Sequence, residues 1–182
     1  MLEQEIQAVY QEIAEKVVSM MPISEWSDFY FWGQVSDGVS SAEFYYRGSV
    51  NAPYQDSGRI ATDYHTSERG YLDDLRVLIK LAEKNAKIFQ SYNQEPWTWM
   101  AMHVDSSGHL SVDYTYTDWE NSFLDNGIQE MYFKHLYLGE APTDPEEQAE
   151  LAEAEAWVKQ TPEAIARRDK TKRDWSDQVN GR

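Results

Sequence analysis

The side chains best equipped for acid–base or metal chemistry in this sequence are four histidines, His65, His103, His109 and His135, set among 32 acidic residues. His103 and His109 have Asp105 between them and Asp113 close behind. A hairpin turning between them would gather imidazoles and carboxylates on one side, a donor set that a divalent cation accepts. The spacing matches no recognised metal motif, and histidines on the exposed side of a strand account for it equally well. There is no glycine-rich phosphate loop, no nucleophile elbow and no His-Glu-x-x-His helix. The absence of cysteine excludes thiolate nucleophiles, thiolate zinc sites and disulfide frameworks together. No residue emerges as catalytic, and no metal or cofactor is expected. The chemistry on offer is recognition.

For recognition the sequence offers one constellation: Glu95, Trp97, Trp99, Asp113 and Thr115, combining acids, two large aromatics and a hydroxyl. Seven Trp and twelve Tyr accompany a formal charge of −16. Tryptophan and tyrosine dominate interface hot spots. A strongly acidic field repels nucleic acid and anionic membranes and speeds encounter with basic partners. Two readings of the constellation stand side by side: a contact surface for a protein partner, or a sheet face covered by C-terminal helices, which would make the tryptophans core residues.

The elements that must position these residues follow from periodicity and turn chemistry. Leu2, Ile6, Val9, Ile13, Val17 and Met20 mark one face of a helix that Pro22 ends. A second long helix places Leu72, Leu75, Ile79, Ala82, Ala86 and Phe89 on its apolar face, with Asp73 and Asp74 early and Lys84 and Lys87 late, as the helix dipole favours. Between the two lies an aromatic, β-prone stretch, Asp28 to Ser49, broken at Asp37-Gly38, a hairpin signal. A two-residue turn there sets Val35 opposite Ser40, Phe31 opposite Phe44 and Phe29 opposite Tyr46, with Tyr30 and Tyr45 meeting on the other face. A second hairpin joins Trp97–Asp105 to His109–Thr117. A three-residue loop with Gly108 in the left-handed position pairs Val104 with Leu110, Met102 with Val112 and Met100 with Tyr114. The opposite face then carries Trp97, Trp99, Ala101 and His103 across from Thr117, Thr115, Asp113 and Ser111. Gly58 to Tyr64 is the candidate fifth strand, and Ile128 to Leu138 a short helix stopped by Gly139. The fold class is α+β: an antiparallel sheet built from hairpins, long helices packed on one face, and a helical C-terminal extension.

Composition shifts after Gly139. Residues 1–140 carry 22 acids and 9 bases, the remainder 10 acids and 7 bases. We therefore divide the chain into a 1–140 domain and a 141–182 extension. The extension holds an Ala/Glu-rich helix, Glu146 to Lys159, and another started by Thr161 as N-cap with Pro162 at its first position. Arg167, Arg168, Lys170, Lys172 and Arg173 cluster on that last helix and read as a solvated face. Its helices could also assemble copies into a homodimer, which would make the chain a scaffold or regulatory protein. A chain of 182 residues buries roughly 70% of its unfolded surface without disulfides or metals. The start, Met1-Leu2-Glu3-Gln4-Glu5, lacks the basic and apolar regions of a signal peptide, and no apolar run of about 20 residues offers a membrane span. The expected location is the cytoplasm.

The run Asn93-Gln94-Glu95-Pro96-Trp97-Thr98, leading into a hairpin with Ser107-Gly108 and Asp113-Tyr114, resembles the YezG family of antitoxins. The resemblance extends to Met21-Pro22, to Glu25-Trp26 before an aromatic strand with Gly33, and to Tyr137-Leu138-Gly139, so it covers residues 1 to about 140. It implies an immunity protein that binds the C-terminal domain of a polymorphic toxin, notably a nuclease exported through type VII secretion, including LXG proteins. The resemblance supplies no residue-level inhibitory motif. The tail of about 40 residues after Gly139 departs from the family's pattern.

Overall fold

The computed structural model describes residues 1–36 and 38–181. These residues fall into two compact units, Met1–Tyr116 and the stretch from Thr117 onward. The first contains helix α1 (Leu2–Met20), strands β1 (Asp28–Ser36), β2 (Val39–Arg47) and β3 (Gln55–Asp56), a short helix α2 (Ile60–Asp63), the long helix α3 (Glu68–Ser91), and strands β4 (Trp99–Asp105) and β5 (Leu110–Thr115). The strands form one antiparallel sheet in the order β3-β2-β1-β4-β5. The fold is α+β, as expected. The sequence boundary at residue 140 lies inside the second unit, after a π-helical turn.

Both hairpin registers agree with the turn chemistry. Phe31 pairs with Phe44, Tyr30 with Tyr45, and Val35 with Ser40. Gly38 has the positive φ (+91°) that its turn needs, while its neighbour Asp37 lies outside the described residues. In the second hairpin Val104 pairs with Leu110 and Met102 with Val112, and Gly108 takes φ +88°.

Period-2 alternation puts Phe29, Phe31, Phe44, Tyr46, Met100, Met102 and Val104 on one face, where they meet Val9, Ile13 and Val17 of α1 and Leu78, Leu81 and Ala82 of α3. Helix α3 starts on Ser67, whose hydroxyl accepts from the Gly70 amide. A part-buried polar chain ties both helices to β5: the Tyr10 and Tyr114 hydroxyls lie 2.8 Å apart, and Tyr114 donates to Asn85 Oδ1 at 3.1 Å. Burial, and then the bond to Tyr10, push the Tyr114 phenol well above its ordinary pKa, so it stays a neutral donor.

Three expectations are corrected. The fifth strand is Gln55–Asp56, paired with Tyr46 and Tyr45. Residues 58–64 instead turn into helix, because the Asp56 carboxylate accepts from the Gly58 amide and starts a helical turn. Leu72 is exposed; the buried stripe of α3 runs through Tyr71, Leu75, Leu78, Ala82 and Asn85. A polar Asn inside that stripe hid its true phase. Trp97 lies outside β4 and joins the helix-side core, its ring 5.5 Å from that of Tyr114. The chain bends at Thr98, whose amide and hydroxyl both donate to the Thr115 carbonyl, and the bend breaks the alternation.

The second unit holds α4 (Asn126–Phe133), the π-helical turn Lys134–Leu138 ending on Gly139 at φ +72°, α5 (Pro145–Val158) and α6 (Pro162–Asn180). Thr161 caps α6 by accepting from the Ala164 amide, with Pro162 following it. Leu151, Ala154 and Trp157 are buried, and Trp157 Nε1 donates to the Asp118 carbonyl. No helix among the described residues is long and apolar enough to cross a membrane.

Gly33 marks a close approach of sheet and helix. A Cβ there would lie 3.0 Å from the Phe31 ring and 3.3 Å from Ala82 Cβ. Gly33→Val is expected to destabilise the protein by about 1–3 kcal/mol through overpacking, read as a lower denaturant midpoint at unchanged slope. An unaltered midpoint would show that α3 does not press on β1 at this point.

Candidate functional site

The face of the sheet turned away from α1 and α3 is polar and aromatic. The same registers that bury the phenylalanines place Asp28, Tyr30 and Trp32 of β1 on it, beside Glu43, Tyr45 and Arg47 of β2, Trp99, Ala101 and His103 of β4, and Ser111, Asp113 and Thr115 of β5.

Asp28 anchors this face. It is 4% exposed, the one buried charge among the described residues. Arg47, its cross-strand partner at the end of β2, donates through Nε at 2.6 Å and Nη2 at 3.3 Å. Ser27 Oγ donates at 2.6 Å, His103 Nε2 at 2.9 Å, and the Tyr54 hydroxyl also donates to the same carboxylate. The Arg47 guanidinium lies 4.4 Å from the centre of the Tyr54 ring, and a further donor, Nη1, reaches the Val50 carbonyl. The Tyr30 ring lies 4.5 Å from that of His103. Burial alone would push the Asp28 carboxyl up, but the donors from Arg47, Ser27, Tyr54 and His103 outweigh it and hold the group well below the usual carboxylate range. A carboxylate so fully engaged is a poor proton acceptor near neutral pH. The cluster is therefore structural: it neutralises a buried charge and fastens β1, β2, β4 and the loop after β2.

The five residues singled out from sequence are only partly brought together. Trp99 pairs with Thr115 and Ala101 with Asp113, as the register required. Trp99 is 2% exposed and stands edge-on to Trp32, ring centres 5.0 Å apart. Asp113 is exposed and Thr115 half-buried; Glu95 is exposed in the segment before β4. Trp97 is on the opposite side. His103 uses Nε2 on Asp28, and this accounts for it without a metal. Sequence reading missed the Asp28 cluster, although the signal was present: extending the hairpin register one step past Phe29–Tyr46 pairs Asp28 with Arg47.

In the second unit an open groove of about 580 Å³ lies between α4 and α5. Asp125, Glu140, Glu147 and Glu150 line it, and Lys134 is paired with Glu130 at 2.6 Å. The basic cluster of α6 is largely neutralised locally: Arg167 meets Glu153, Arg168 meets Asp169, and Lys170 meets Asp174. The Arg167 and Lys170 pairs are exposed and add little stability, as a solvated face implies, whereas Arg168 is half-buried with its guanidinium 5.3 Å from the Trp157 ring centre.

A family model described as YezG-like immunity protein matches residues 6–152. The chain is 29% identical over 163 residues to the type VII secretion system protein EsaG of Staphylococcus aureus, an alignment that takes in 88% of this chain and 98% of that protein. It is 31% identical over 137 residues to immunity protein YezG of Bacillus spizizenii, with 74% and 83% covered, and 29% identical over 142 residues to immunity protein YezG of Bacillus subtilis, with 78% and 93% covered. An alignment spanning 88% of the chain cannot stop at residue 140. The C-terminal helices are thus shared in part with the staphylococcal protein and are not wholly an addition of this chain.

The Asp28 cluster has a pH signature. Its folded-state pKa is depressed, so the stability it contributes is present above the unfolded carboxyl value of about 3.9 and is lost as pH falls toward the folded value. Asp28→Asn is expected to cost about 3–5 kcal/mol at pH 7 by leaving Arg47 without its partner, and to flatten the fall in stability below about pH 4. Equal acid sensitivity in both proteins would remove Asp28 as the source.

Proposed function

The chain belongs to the YezG-like immunity protein family, and from that premise we propose that it is the antitoxin of a secreted nuclease, neutralising it by stoichiometric binding. The observation that carries this reading is the family match over residues 6–152. The staphylococcal relative's name supports type VII secretion as the toxin's export route. An LXG-type toxin with a C-terminal nuclease domain, held inactive in the cytoplasm of the producing cell, is the partner we infer.

The electrostatics favour such a partner. A nuclease must present a basic surface to a polyanion, and an inhibitor carrying a net charge of −16 complements that surface while repelling the nucleic acid itself. Binding rather than catalysis also suits the buried carboxylate, which is fully occupied by donors. We place the contact on the polar sheet face and its margin, where Glu95, Asp113 and Thr115 offer charge and hydrogen bonds. Trp99, and Trp97 from the other side, back this region as rigid support.

Co-expression with the C-terminal domain of the toxin encoded beside it tests the proposal. Rescue of growth and a stable complex are expected; the absence of both would overturn it. Within the complex, Glu95→Lys combined with Asp113→Lys is expected to weaken binding about tenfold, mostly through a slower association rate and less so at high salt. Both residues are exposed, and a thermal melt of the doubly reversed protein separates any loss of fold from loss of binding. Trp99→Ala should instead lower stability by about 3–5 kcal/mol. Undiminished binding by the charge-reversed protein would move the interface off this face.

A further inference from the structure

The two edges of the sheet are unlike. β3 contributes only two residues before Asp56 turns the chain into helix, so that edge is short and closed. β5 runs for six residues, Leu110–Thr115, with a neighbouring strand on one side only among the described residues. Its ladder to β4 uses alternate positions. The Asp105 amide donates to the His109 carbonyl and the Thr98 amide to the Thr115 carbonyl, so Ser111 and Asp113 also turn their peptide groups inward. Leu110, Val112 and Tyr114 turn theirs outward, where no backbone hydrogen bond meets them among the described residues. The strand is held firmly from behind by the Tyr10–Tyr114–Asn85 chain.

We propose that this edge pairs with the β5 edge of a second copy of the chain, antiparallel across a two-fold axis at Val112, joining two sheets into one. The inference is independent of the toxin. Only the outward-turned residues can form hydrogen-bonded pairs, which limits the registers. Centring on Val112 is the one that uses all of them: Val112 meets the partner's Val112, and Leu110 meets the partner's Tyr114, each pair exchanging two backbone bonds. On the helix side the seam is then apolar. On the other side Ser111 faces the partner's Asp113, a hydroxyl against a carboxylate. Moving the axis to Asp113 would set the two carboxylates against each other and lose pairs. A toxin strand could use the same edge in principle, but the sequence of β5 is complementary to itself in this register, and that favours a second copy. The seam is smaller than a standard interface and forms between two chains of charge −16, so association should be weak and should strengthen as salt screens the repulsion.

Sedimentation and residue-resolved amide exchange on the full chain, from dilute protein to about 100 µM, test this. The expected result is a concentration-dependent dimer in which the Leu110, Val112 and Tyr114 amides become protected together. Ser111→Asp sets a second carboxylate against the partner's Asp113. Because the axis creates that pair twice, the dissociation constant should rise about tenfold, whereas Ser111→Lys should lower it. Ser111 is exposed, so both variants should fold; the dilution series on the unaltered protein does not depend on them. A chain that stays monomeric with those amides unprotected overturns the proposal, and so does a dimer indifferent to residue 111. Protection that arises only with the toxin's C-terminal domain present would assign the edge to the toxin.

Discussion

A carboxylate that is 4% exposed must be met by donors inside the protein or be protonated, and the way Asp28 is met governs how the sheet is assembled. Its donors come from different parts of the chain: Ser27 beside it, Arg47 at the end of β2, Tyr54 in the following loop, and His103 on β4. They converge only in the observed register. A one-residue slip of β1 would turn Asp28 toward the helix-side core and bring Phe29 and Phe31 to the polar side, losing burial and charge compensation together. At the other end of β1, Gly33 limits how the helix can sit, because it leaves room for Ala82 at close range. Electrostatics at one end of the strand and sterics at the other fix the sheet that every other feature is built on.

This explains which parts of the fold were legible beforehand. The hairpins could be read because their registers depend on local turn chemistry, Gly38 and Gly108 supplying positive φ. Helix starts at Thr161 and the long 3.6-residue periodicity of α1 are local in the same sense. What escaped reading was decided by distant partners. The bend that sends Trp97 into the core exists because Thr98 is bonded to Thr115. Asn85 looks like a break in the apolar stripe of α3 until Tyr114 is known to be its partner. The pairing of β1 with β4, with α3 between them in the chain, has no local signal. The proposed contact residues were the least legible part, since turn chemistry fixes register but not burial.

The division between the two faces of the sheet also bears on function. A general acid or base works best with a pKa near the working pH, and the carboxylate buried on this face, the one buried charge among the described residues, is held well below that range by its donors. The remaining acids around it, Glu95 and Asp113 among them, are exposed. They add to the negative field that a basic partner would meet. A protein organised in this way is suited to meeting a charged partner.

Specificity can then be separated from stability. Relatives at about 30% identity can share a fold because volume and patterning, rather than particular residues, hold a core together. The residues that are free to change are those that neither fill the helix-side core nor serve Asp28. On the polar face these are the exposed positions near β5 and the segment before β4. An immunity protein must bind its own toxin and reject others, and rejection comes from misplaced charge as readily as affinity comes from matched charge. With the indispensable charge pair under cover and the adjustable charges at the margin, an interface on this face, as proposed, could diverge without disturbing the register beneath it.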